Sequence, residues 1–284
     1  MILQRLLSDF NASLYHTVYS HGWFRLAPWH WNHANNTLSR SERLRDEKTY
    51  VIKIRQNGVM EFTLEISQDT LDQVDLENIR HTVKRWLSLD WDPRPAIRTA
   101  SSLDTRISSF IKDGGGRFLR SSTFYEDFVK TVCTINTNWS STLRMSSALV
   151  DQIGKGTFPS PLEIIMIGQD TLSSRLKLGF RSKVLIDATN HLLTRGIMNE
   201  NGQLIADKLT FEDLLQIRGI GPYSASHIMM LCHDYSRIPI DSTVISYCKD
   251  RYGLVPDEIQ EFFHEWGDHR MLGYKISRLL DDNG

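Results

Sequence analysis

The spacing of apolar and polar positions changes period part-way along this chain. Over residues 59–66 (VMEFTLEI), Met60, Phe62, Leu64 and Ile66 alternate with Glu61, Thr63 and Glu65, the pattern of a strand with one buried face. Residues 49–56 (TYVIKIRQ) precede it across Asn57-Gly58, a dipeptide that favours a two-residue hairpin turn. A further strand-like, aromatic-rich stretch is GWFRLAPWHW (22–31). Leu76, Ile79, Val83 and Trp86 then fall at helical spacing. Residues 92–104 (DPRPAIRTASSLD) hold two prolines and a Ser-rich turn and predict a boundary. Beyond it, helical periodicity runs through 123–136, 161–167, 181–193, 210–231 and 258–280, without repeats, coiled coil or low-complexity tracts. The expected architecture is mainly α. An antiparallel β-sheet plus helix domain is predicted over residues 1–103, and an all-helical domain over 104–284.

The most specific local signal is TFEDLLQIRGIGPYSASHIMMLCHDYSRIPID (210–241). Thr210 is placed to N-cap a helix, with Asp213 completing a capping box. Leu214, Leu215 and Ile217 supply its apolar stripe, and Gly219 ends it. Gly221 and Pro222 restart a helix, proline taking the first-turn position where its missing N–H costs nothing. Ala225, Ile228 and Met229 give that helix a buried face. Such a turn leaves backbone N–H groups of residues 219–224 unpaired at a helix N-terminus, a site that attracts phosphate without any basic side chain.

Composition narrows the partners. With 33 Lys+Arg against 34 Asp+Glu, no global field draws the chain onto nucleic acid, so any basic surface must be local. At 284 residues it can bury a large core and fill two domains. The apolar run 228–232 is far too short to span a bilayer, and residues 1–7 lack the features of a secretory signal. A soluble intracellular protein without membrane attachment is therefore expected. Cys133, Cys232 and Cys248 are widely spaced and suit free thiols. His30 and His33 lack nearby cysteine or carboxylate partners, which favours core packing of the surrounding aromatics over a metal site.

GIGPYSA followed by IPIDSTV resembles the helix-hairpin-helix motif and catalytic aspartate of the base-excision DNA glycosylase superfamily, with Gly219, Ile220, Gly221, Ala225 and Asp241 at the family spacing. Residues 114–140 are similar to the segment that, in alkylation-type and 8-oxoguanine-type members, leads into the residue wedged into the DNA stack. Residues 176–193 look like the helix before the hairpin, and the N-terminal sheet matches the extra β-domain of those two subfamilies. The chain is most similar to the 3-methyladenine glycosylase II-like members. That resemblance implies duplex DNA containing a damaged, alkylated base as partner, and action as a monomer. It also implies a cytoplasmic, nucleoid-associated location in a bacterium or a nuclear one in a eukaryote.

Roles follow residue by residue. Breaking a base–sugar bond creates oxocarbenium character, which a carboxylate stabilises while orienting the attacking water; the resemblance gives this role to Asp241. Position alone favours an N-cap for the helix that follows; the hairpin upstream at family spacing favours catalysis, and the two roles are compatible. Strand-cutting relatives place a Schiff-base lysine where this chain has Tyr223, so a monofunctional enzyme leaving an abasic site is expected. Tyr223 would instead stack on the flipped base, with Trp266 and Tyr274 as pocket aromatics or as core. Asn136 matches the wedge, and Asn136-Thr137-Asn138 resembles the 8-oxoguanine type more than the apolar wedge of the alkylation type. Gly219, Gly221, Tyr223 and Ser224 would meet DNA at the hairpin, and Arg181 through its charge or else as a solvated helix face. The carbonyls of Leu215, Ile217 and Ile220 match positions that bind a monovalent cation in relatives. No cofactor is required, and four closely spaced cysteines for an iron–sulfur cluster are missing. Two rivals remain: a monofunctional member of the 8-oxoguanine branch, and a non-catalytic DNA-binding protein of the same fold.

Overall fold

Five strands form one antiparallel sheet in the computed structural model, which describes residues 1–43, 48–205 and 209–282. They are β1 (Ile2–Leu7), β2 (Trp29–Asn32), β3 (Thr37–Arg43), β4 (Thr49–Gly58) and β5 (Glu61–Ile66), in spatial order β1-β5-β4-β3-β2. Early helices are α1 (Leu14–Val18), α2 (Gln73–Trp86), α3 (Arg94–Leu103) and α4 (Thr105–Lys112). The helical body follows with α5 (Phe124–Thr134), α6 (Trp139–Gln152), α7 (Pro161–Ser174), α8 (Arg181–Thr194), α9 (Phe211–Leu215) and α10 (Pro222–Leu231). The last are α11 (Ser242–Tyr252), α12 (Ile259–Phe262) and α13 (Arg270–Asp282). Among the described residues no helix is long and apolar enough to cross a membrane.

Alternation holds where β4 and β5 pair. Ile52 opposes Ile66 and Ile54 opposes Leu64, and all four side chains are buried, with Phe62 beside them. The turn between these strands is not at Asn57-Gly58. Gly58 pairs with Glu61 across Val59-Met60, and a bulge between Gln56 and Gly58 absorbs Asn57, whose amide donates to Thr63 Oγ1 at 2.6 Å. The cause is tertiary: the Val59 and Met60 carbonyls accept the N–H groups of Ala12 and Ser8 at 2.8 and 3.0 Å. Met60, expected to be buried, is consequently exposed at the turn. Residues 22–31 likewise split, into a 3₁₀ turn (Gly22–Arg25) and β2, with Trp23, Trp29 and Trp31 buried. At the other end, the periodic stretch 258–280 is broken into α12, a 3₁₀ segment (His264–His269) and α13, with Gly267 left-handed at φ 52°.

Buried side chains gather in two clusters. One joins the sheet and α2–α4 to residues 230–276; the other is built from α5–α10. Helix α10 belongs to both, Ile228 and Met229 in one and Met230 and Leu231 in the other.

A buried ionic network ties the sheet to α5. Arg40 on β3 grips Glu126 with two guanidinium bonds of 3.0 and 2.9 Å, and Lys130 Nζ reaches the same carboxylate at 2.7 Å. Next to it, Asp127 accepts Trp23 Nε1 at 2.9 Å and Arg85 at 2.8 Å. Burial opposes charge on Glu126, but Arg40 and Lys130 outweigh it and hold the carboxyl down at about 2. Replacing Glu126 by Gln leaves the buried Lys130 without an ion pair and Arg40 with Glu42 alone, so urea denaturation should show a loss of about 3–5 kcal/mol. The stabilisation is complete above the ordinary carboxylate value of 4.5 and fades as pH falls towards 2, so acid titration of the native protein should show it lost over that window.

Candidate active site and nucleic-acid interface

Thr210 caps α9 as its sequence suggests. Its hydroxyl accepts Asp213 N–H at 3.1 Å, and the Asp213 carboxylate accepts Thr210 N–H at 3.0 Å. The helix ends at Leu215 rather than at Gly219, and Leu215 therefore points outward while Leu214 and Ile217 are buried. Gly219 is required for two reasons: its φ is +93°, and a Cβ there would stand 2.6 Å from Val184 Cγ2 on α8. Gly221 N-caps α10 with φ −102°, and an added Cβ would meet nothing within 4 Å. The backbone there is open to solvent. N–H groups of Gly219, Gly221, Tyr223 and Ser224 find no acceptor among the described residues. Ser224 offers only that N–H, because its side chain is buried. As for a cation, the Ile217 carbonyl already accepts Ile220 N–H at 3.0 Å, whereas those of Leu215 and Ile220 accept no backbone N–H among the described residues. Carbonyl oxygens in one tight turn are the neutral donors a monovalent ion uses, so the three residues fit one.

Ten residues beyond α10, Asp241 caps α11. One oxygen, Oδ1, accepts both Thr243 N–H at 2.9 Å and Val244 N–H at 2.8 Å, and Oδ2 accepts nothing among the described residues. This carboxylate lines a cavity of about 100 Å³ with Tyr223, His227, His21, Tyr274 and Lys275. A larger adjoining pocket of about 200 Å³ shares Lys275 and Arg278, but Asp241 and Tyr223 line the smaller one. Burial and the Asp241 charge raise the Tyr223 phenol. Burial, then the neighbouring Lys275 ammonium, pulls His227 down to about 4, and its ring stacks on Trp23 at 4.9 Å. His21 is lowered by burial and by His227. Its Nε2 lies 2.7 Å from the Leu119 carbonyl, which can only accept, so the neutral ring carries its proton there. Two neutral imidazoles thus back the cavity at pH 7.

Trp266 lies outside this cavity. Its indole packs flat on Gly273, where a Cβ would collide with the ring, and so serves the core. Tyr274, by contrast, lines the cavity and accepts from Arg278 at 3.3 Å. His21, His227, Lys275 and Arg278 were not foreseen as cavity residues. His227 was findable, because it lies one helical turn after Tyr223 on the same face. His21 carried no local signal.

Asn136 projects from the end of α5, exposed and left-handed at φ 46°. Arg181 is turned inward, not toward solvent: its guanidinium donates to the carbonyls of Ile135 and Asn136, the latter at 3.2 Å. It braces the Asn136 loop from behind. Around that loop Arg144, Arg175 and Lys177 are exposed, and the two arginines bond only neutral Ser141 and Gln152. No carboxylate pairs with these three cations among the described residues. They form the local basic surface that the balanced composition demanded.

This fold recurs in solved proteins. A 3-methyladenine DNA-glycosylase from Archaeoglobus fulgidus superposes with a TM-score of 0.70 over 96% of this chain and 97% of that one, at 13% identity. The chain has the helix-hairpin-helix DNA glycosylase fold. An 8-oxoguanine glycosylase/lyase from Clostridium acetobutylicum in its apo form gives 0.70 over 98% of both chains at 17% identity. The same enzyme, in complex with double-stranded DNA containing cytosine opposite 8-oxoguanine, gives 0.68 over 100% and 99% at 18% identity. No protein-family model matches the chain, and no curated protein matches it in sequence.

The hairpin glycines should separate in urea titrations. Gly219→Ala should cost at least about 1–2 kcal/mol from left-handed strain alone, before the clash with Val184 is counted. Gly221→Ala, which meets no clash but replaces a favoured N-cap residue, should cost less, on the order of 0.5–1 kcal/mol.

Proposed function

We propose that this protein is a DNA glycosylase that draws a damaged base out of duplex DNA and hydrolyses its base–sugar bond, leaving an abasic site. The observation that carries this reading is the Asp241 carboxylate, fixed through Oδ1 by two N–H groups with Oδ2 free, in a cavity beside the open hairpin. Positive charge grows on the sugar as the bond breaks, and a rigidly held carboxylate oxygen lowers that barrier without reorganising. The open N–H groups of Gly219, Gly221, Tyr223 and Ser224 suit one DNA phosphate, helped by a monovalent cation on the hairpin carbonyls. Arg144, Arg175 and Lys177 suit the backbone beside the wedge, Asn136. Tyr223 supplies no amine, so water is the attacking nucleophile in base release. The cavity is small for a nucleobase, and a side chain must move as the base arrives.

The sequence resemblance favours an alkylated base. A second reading, a neutral lesion such as hypoxanthine or 8-oxoguanine, is favoured by one observation: Lys275 and Arg278 in the cavity wall. Two cations repel a cationic alkylated purine, and they stabilise the negative charge on a neutral base as it leaves.

Free base liberated from duplexes carrying 3-methyladenine, hypoxanthine, 1,N6-ethenoadenine, uracil or 8-oxoguanine decides the matter. The native protein should release at least one, and Asp241→Asn should be slower by about 10²–10³-fold. Asparagine caps a helix about as well as aspartate, so the thermal midpoint should hold. Retention of DNA without release of any base would sink the enzymatic reading in favour of a binding protein. Arg144→Glu and Lys177→Glu should weaken DNA binding regardless of sequence and each reduce the salt dependence by about one unit of slope.

A further inference from the structure

One polar group of the cavity is placed for chemistry beyond base release. Lys275 lies in the second turn of α13, and its side chain lines two spaces at once. On one side is the Asp241 cavity. On the other is a neighbouring pocket of about 200 Å³ bounded by His16, Tyr19 and Phe110. No carboxylate lies within ion-pair distance of its ammonium among the described residues, and no hydrogen bond holds it. An unpaired amine that lines the same cavity as the carboxylate of a candidate catalytic site is what imine chemistry with an aldehyde requires. A base-free deoxyribose is such an aldehyde when its ring opens.

We propose that Lys275 gives the protein a second activity: cleavage of DNA at abasic sites through an imine between its Nζ and C1′ of the base-free sugar. The proposal rests on the reading above that the Asp241 cavity receives the extruded nucleotide. It departs from the expectation drawn from Tyr223, since the amine comes from the last helix and not from the hairpin. The neutral Nζ adds to the C1′ aldehyde, and the carbonyl oxygen takes the electron pair and a proton. Loss of that oxygen as water gives a C1′=N iminium. The C2′ proton then passes to the Asp241 carboxylate, the C3′–O bond breaks, and the 3′ phosphate leaves with the electron pair. Water hydrolyses the iminium and frees Lys275, so no oxidant or reductant is consumed.

Burial, reinforced by Arg278 and partly offset by Asp241, pulls the Lys275 ammonium down to about 8. At pH 7 roughly a tenth of the molecules then hold a neutral amine. The groups facing it are Asp241 from α11, Tyr223 and His227 from α10, and His21, His16 and Tyr19 from the start of the chain. Arg117 approaches from the segment before α5, and Tyr274, Arg278 and Asp282 share α13. Both cavity imidazoles, lowered by their burial, are neutral in this range, so the lysine dominates the profile.

The test uses the full-length protein and a duplex that already carries an abasic site, so it needs no base release. With sodium borohydride, which delivers hydride to an iminium, the native protein should become covalently joined to the DNA. The DNA-bearing peptide should contain Lys275. Without borohydride, strand cleavage should rise about tenfold per pH unit up to about 8 and then level off. Lys275→Ala and Lys275→Arg should both lose trapping and drop to the cleavage seen without protein, while still retaining the abasic duplex in a binding assay. Equal trapping by either variant, or none by the native protein, overturns the proposal. Trapping without base release from any lesion would refute the glycosylase reading and leave this one standing. Base release without trapping would do the reverse.

Discussion

The position of α10 is the constraint on which the rest of this molecule depends. From Ser224 to Leu231 every side chain of that helix is buried, and its two halves belong to different apolar clusters. It cannot shift without disturbing both. Its N-terminus is nevertheless left at the surface, because Gly221 is open and the turn before it is held by the close approach of Gly219 to α8. Tyr223 and His227, one turn apart on this fixed rod, then face the cavity. The same rigidity that buries the helix leaves its unpaired N–H groups at the surface.

How much of this was legible in the sequence varied with how local the determinants are. The capping box at Thr210, Pro222 at the start of α10 and Asp241 at the start of α11 are decided by neighbours within four residues, and each is where the pattern puts it. The strand alternation at Phe62, Leu64 and Ile66 is of the same kind. The hairpin turn went the other way. Asn57-Gly58 is a strong local preference, but hydrogen bonds from Ser8 and Ala12, some fifty residues away in the chain, moved it to Val59-Met60. Likewise β1 and β3 have too little alternation to announce themselves, and they exist because β5 and β4 offer them partners.

The site divides along the same line. Asp241 and Tyr223 sit in a contiguous motif, whereas His21 and Lys275 come from opposite ends of the chain and meet only in three dimensions. Arg181 shows the limit of reading charge from sequence. Its place before a helix suggests a surface cation, yet its guanidinium serves two carbonyls under the Asn136 loop. The exposed cations are Arg144, Arg175 and Lys177, which no motif singles out. A net charge of −1 therefore says little about nucleic acid. Within a Debye length of about 8–10 Å, three unpaired cations matter more than the sum over the whole surface.

The electrostatics of the cavity are asymmetric in a way that matches a bond breaking into two charged fragments. Its lining holds a carboxylate, Asp241, two cations, Lys275 and Arg278, and two neutral imidazoles. In a half-buried space these charges are weakly screened, and an ion pair formed by direct contact would cancel them. No such contact exists between Asp241 and either cation among the described residues. Backbone N–H groups hold Asp241 in place, and Arg278 donates to Tyr274 and pairs with Asp282. Asp241 and Arg278 are thus held by their own local partners, while Lys275 stands unpaired between the two pockets. Opposed charges held separate can act on a sugar gaining positive charge and a base gaining negative charge at the same time.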